Sequence, residues 1–204
     1  MEFTHQRTVT VVAILLIIAA LSQSIYTALY IASQSNPDIV IPRQLLWGSE
    51  GVLFAILAAF AGSAMVKSKG LTLAFSAIAF SAALNVVQVA VGVTLFGPFG
   101  EAAGEAPALA PAAGAIVDYS FFVYNAAKVM LGLAALVAGM SAMARGGKLL
   151  GGLTALVGGA AILANGGKLM AGGDLIAGVP LAGGTGVLAT LLLALCLLGA
   201  AKDD

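Results

Sequence analysis

Lys128 and Glu50 are the two ionisable side chains that lie deepest in apolar sequence, and they set the chemistry this chain could perform. Lys128 stands in Asp118-Tyr-Ser-Phe-Phe-Val-Tyr-Asn-Ala-Ala-Lys128, followed by an unbroken apolar run to Met140. A lysine at the centre of a bilayer costs roughly 2.5–3.5 kcal/mol on insertion scales, so it needs a partner or a purpose. A buried ammonium can hold an anionic or carbonyl ligand, pair with a carboxylate, or release and regain a proton during transport. Glu50 is the nearest candidate carboxylate by depth. A Lys128–Glu50 bridge completed by Asn85 and Gln88 is the expected structural arrangement.

Other polar residues fall at helical spacing around this pair. Gln23, Tyr26 and Tyr30 share a face at steps of three and four, as do Ser81, Asn85, Gln88 and Gly92. Asp118, Phe121, Asn125, Lys128 and Gly132 form a third stripe. Tyr26 and Tyr124 are placed to line a pocket. Tyr30, Trp47 and Tyr119 read as an interfacial aromatic belt. Asn85-Val-Val-Gln88, Asn125-Ala-Ala-Lys128 and Asn165-Gly-Gly-Lys168 repeat one Asn-x-x-Gln/Lys pattern, with 125 − 85 = 40 and 165 − 125 = 40. Coincidence and duplication are both open readings of that period.

The elements that must position these residues follow from composition. The 204 residues are 61% hydrophobic and 9% charged, with mean hydropathy +1.07. A soluble domain carries about a quarter of its residues as charges, so a bilayer protein is implied. Six apolar segments are long enough to span: 8–32, 45–66, 71–96, 116–143, 149–167 and 176–201. The first run is too long for a signal-peptide core and reads as a retained span. The fold class is an all-α membrane protein, a six-transmembrane-helix bundle without a soluble domain. Segment 97–115, with three prolines, Glu101 and Glu105, reads as an irregular surface loop.

Arg7, Lys67, Lys69, Arg145, Lys148 and Lys202 fall on one side, against Arg43 and Lys168 on the other. The basic side should be cytoplasmic, with both termini, in a bacterial inner membrane. On that topology the inner halves of the spans are apolar and the polar residues lie between midplane and outer surface. Small-residue stripes (Gly151, Ala155, Gly159 and Ala182, Gly186, Thr190, Ala194) suit close helix packing, within the chain or with a second copy or a larger membrane complex.

Several classes are disfavoured. Net charge is zero, which gives no basic patch for nucleic acid. A single cysteine and a single histidine, His5, argue against a disulfide, a metal centre or a hydrolytic triad, and no cofactor motif appears. The stretch from Phe121 to Asn165 resembles the last third of a broad group of six-helix bacterial membrane proteins, which implies the same helix count and no particular chemistry. The expected function is therefore non-enzymatic: an outward-facing polar cluster of Lys128, Glu50, Asn85, Gln88, Asn125, Asp118, Gln23, Tyr26 and Tyr124 that binds a small or lipid-like ligand, or holds a partner subunit. The alternatives are a small transporter or channel subunit with Glu50 and Lys128 as coupling charges and, last, an intramembrane enzyme.

Overall fold

The computed structural model describes residues 4–33, 35–171 and 181–203. The described residues form six long helices and two single 3-10 turns, with no strand among them. The helices are α1 (His5–Ser33), α2 (Val40–Lys67), α3 (Thr72–Glu105), α4 (Ala110–Ala144), α5 (Lys148–Ala171) and α6 (Leu181–Asp203). All six are long and apolar enough to cross a membrane, which suggests an integral membrane protein. Large apolar side chains point outward all round. Leu45, Leu156 and Leu163 are each about 70% exposed, as expected of helices whose outer faces meet lipid rather than water.

Each helix packs on the next in sequence, and α1 closes the ring on α6. α4 also packs on α6, so its face is turned to the interior. His5, the α2–α3 turn, Arg145 and Ala200 meet at one end of the bundle, here called the terminal end. An apolar core of Val12, Leu16, Leu57, Ala61, Phe75 and Leu131 fills the half of the bundle nearer that end, with the buried Thr8 and Thr154 hydroxyls bonded back to carbonyls four residues earlier.

Helix ends differ from the sequence expectation at three places. The segment 97–115 is not an irregular loop. α3 continues through Pro98 to Glu105, a 3-10 turn spans Pro107–Leu109, and α4 starts at Ala110. Alanine and glutamate are good helix formers, and the later prolines fall at helix starts, where a missing N–H costs nothing. At 34 and 35 residues, α3 and α4 are each about 50 Å long, so their hairpin tip projects past the other helices at the far end. α2 likewise begins at Val40 rather than Leu45, with Pro42 in its first turn. The expected start of the last span at 176 lies outside the described residues.

Close backbone approach explains the α4–α5 pair. A Cβ on Gly139 would stand 2.5 Å from Ala155 N and 2.6 Å from Gly151 O, and one on Gly158 would meet Leu136 N at 2.6 Å. The tight stripe on α5 is therefore Gly151, Ala155 and Gly158. Gly159, expected to be part of it, has open space around its Cα. The α6 stripe Ala182, Gly186, Thr190 and Ala194 is buried within the chain. Gly146, at φ 97°, supplies the left-handed residue that turns α4 into α5.

Candidate functional site: a buried polar layer around Lys128

Counting from the terminal end of each helix places the polar residues at one level. Gln23 is 18 residues into α1, Glu50 is 17 residues from the end of α2, and Lys128 is 16 from the end of α4. Asn165 is 17 residues into α5, and Asn85 is 13 into α3. At 1.5 Å per residue these lie about 20–27 Å from the terminal end. Cross-helix contacts agree with this register. Ser81 on α3 donates to the Ala127 carbonyl on α4 at 2.8 Å, and Gln88 Nε2 lies 3.3 Å from Ser120 Oγ. Asn165 Nδ2 donates to the Ala182 carbonyl on α6 at 3.1 Å.

Lys128 is fully buried. Its aliphatic stem lies over Gly186 of α6, where a Cβ would come within 2.8 Å of Cδ. Its ammonium donates to Gln23 Oε1 at 2.5 Å and sits 5.1 Å from the centre of the Tyr124 ring. Glu50 is also buried and accepts from Ser22 Oγ at 2.6 Å. The expected Lys128–Glu50 bridge is thus absent. The two charges influence each other through space, but each is held by a neutral partner. The reason is local: Ser22 and Gln23 are adjacent on α1, which stands beside α2, and they reach the two charges first.

Three amides form the rest of the layer, and they share one geometry. Asn85, Asn125 and Asn165 each donate Nδ2 to the carbonyl four residues earlier, at 2.7–2.9 Å. Each leaves its Oδ1 buried with no hydrogen-bond partner among the described residues. The carbonyl can only accept, so each amide's orientation follows from its own helix. The Asn-x-x-Gln/Lys pattern thus has a structural counterpart: three neighbouring helices present equivalent unspent acceptors. A buried acceptor without a donor costs roughly 1–3 kcal/mol, which native proteins tolerate where water or a ligand supplies the donor.

The remaining sequence candidates divide. Gln88 and Tyr124 are half-buried at the edge of the layer, and Tyr26 is half-buried above it. Asp118 is exposed and Phe121 is 55% exposed, so the upper part of that stripe does not reach the interior. Asn125, Lys128 and Gly132 of the same stripe are buried. Trp47 is not part of an interfacial belt. It is buried, packs 5.4 Å from Tyr26 and 5.4 Å from Phe96, and covers Gly92, where any Cβ would collide with the indole. These aromatics roof the layer at the far end. Since Lys128 has no exposed surface, the expected outward pocket is closed in this conformation.

Sequence reasoning missed Ser22 and Ser120, which hold Glu50 and Gln88. It also missed the Trp47–Gly92 contact, although both residues lie at similar depth on adjacent helices. No family model, curated protein or solved structure matches this chain.

Proposed function

We propose that this chain is a non-enzymatic integral membrane protein whose polar layer around Lys128 binds a small polar ligand entering from the far end. The observation that carries the reading is the unspent hydrogen-bonding capacity of the layer. Among the described residues, three buried amide oxygens lack donors, and an ammonium with three donor hydrogens has one hydrogen-bond acceptor and an aromatic face. A ligand with an anionic or carbonyl end and N–H or O–H donors would satisfy both kinds of group, as an amino acid or hydroxy acid does. The apolar core between the layer and the terminal end bars passage in that direction.

Orientation follows from charge. Arg7, Lys67, Lys69, Arg145 and Lys148 lie at the terminal end, against Arg43 and Lys168 at the far end. The terminal end is then cytoplasmic and the layer opens outward, in a bacterial inner membrane. A second reading, a carrier, is favoured by the separation of Glu50 from Lys128. Two buried charges held by neutral partners can change protonation without breaking a direct ion pair.

Thermal unfolding in detergent tests the proposal. Wild type and Asn125→Leu are compared against a panel of free amino acids, hydroxy acids and polyols. At least one class should raise the wild-type midpoint and leave the variant unmoved. No shift with any class, or equal shifts in both proteins, contradicts the reading.

A further inference from the structure

A separate cleft lies at the opposite end of the bundle from the roof of the polar layer. The terminal end carries a cleft of about 340 Å³, at the small end of the range for ligand pockets. Its floor is apolar, built from buried Val9, Leu71, Phe75 and Ala200. Its rim brings together His5 from α1, Lys67 from the end of α2 with Lys69 from the turn after it, and Arg145, which caps α4. No acidic side chain is among its described lining residues.

Three features separate this cleft from a set of topology-setting charges. Basic residues that only set orientation need not converge, yet these come from three separate segments onto one cavity. His5 lines the cleft, its Nδ1 is buried with no hydrogen-bond partner among the described residues, and its ring packs edge-on to Phe75 at 6.4 Å between centroids. The cleft also faces the start of α3. Ser68 Oγ accepts from Leu71 N at 2.9 Å, while the amides of the next turn carry the positive end of the 34-residue helix.

We infer that this cleft binds a phosphate group, with Arg145 and Lys69 as the principal cations and the His5 imidazole as a further donor. Arginine matches phosphate oxygens in a bidentate way, and lysine serves as a point charge. The cavity admits a headgroup but not an acyl chain, which would lie along the apolar surface outside. A lipid phosphodiester and free inorganic phosphate share this chemistry.

The test uses the full-length chain, purified in detergent, with inorganic phosphate and with mixed micelles containing phosphatidylglycerol or phosphatidylcholine as probes. Binding is read by ligand-dependent thermal shift and by titration. The Lys69→Gln/Arg145→Gln double variant alters two exposed side chains, so folding is preserved. Lys148→Gln, a basic residue at the same end but outside the cleft, is the control. Each cleft charge removed should weaken phosphate-group binding about tenfold, while Lys148→Gln leaves it unchanged. Binding of phosphatidylglycerol alone assigns a lipid headgroup, and binding of inorganic phosphate as well assigns a free anion. Both outcomes uphold the site. Equal binding by wild type and the double variant, or an equal loss in Lys148→Gln, overturns it, as does failure of inorganic phosphate and phosphatidylglycerol both to bind.

Discussion

Lys128 shows how neutral groups can hold a buried charge. Its ammonium is bonded to the Gln23 amide, and its stem needs Gly186 for room. Depth was legible in the sequence only coarsely, because counting along each span placed Lys128, Glu50, Asn85 and Asn125 in the same half of the bundle, with Glu50 higher than Lys128. Partner choice was not. Opposite charge suggested Glu50, but the rotation of α1 decides which of its residues point inward, and its mixed apolar and polar sequence leaves that rotation open. Ser22 and Gln23 therefore captured both charges unseen. A double-mutant cycle measures the Gln23–Lys128 bond. Gln23→Leu should destabilise the protein by about 1.5–3 kcal/mol, because it strands the ammonium. In a Lys128→Met background the same change should cost little, and the difference appears as a coupling of similar size. Additive effects in thermal or denaturant unfolding would show that the bond is not formed.

At the scale of helices, small residues decide where backbones meet. α4 and α5 approach through Gly132, Gly139, Gly151 and Gly158, where any Cβ would run into the opposing backbone or side chains. Gly139→Ala must push these helices apart and should cost roughly 1–3 kcal/mol. Gly159→Ala meets nothing within 4 Å and should be neutral, or stabilising by about 0.5–1 kcal/mol through helix propensity. Unfolding in detergent separates the two. The number of helices was readable from apolar run length alone. Their ends were not, because the segment after Phe96 mixes strong helix formers with prolines. Pro107 and Pro111 fit because they stand at the 3-10 turn and in the first turn of α4, whereas Pro98 lies inside α3.

For the whole molecule, the six helices divide into a mainly apolar half and a half that holds the polar layer, roofed by Tyr26, Trp47 and Phe96. This division was legible because polar residues segregate along antiparallel spans. The closed roof was not, since a tryptophan near the start of a span equally suits an interfacial anchor, and its burial over Gly92 depends on how α2 packs against α3. The proposed function requires that the roof open toward the far end and that the apolar core stay shut. Cysteine accessibility tests this most directly, in a Cys196→Ser background that keeps a hydroxyl beside Thr154. Single cysteines at Lys69, Asn125 and Glu101 are exposed to a membrane-impermeant maleimide from each side of sealed vesicles. Lys69→Cys should label only from the cytoplasmic side and Glu101→Cys only from the outside. Asn125→Cys should label slowly, from the outside alone. Labelling of position 125 from the cytoplasmic side, or from neither side, would contradict an outward-opening binding layer.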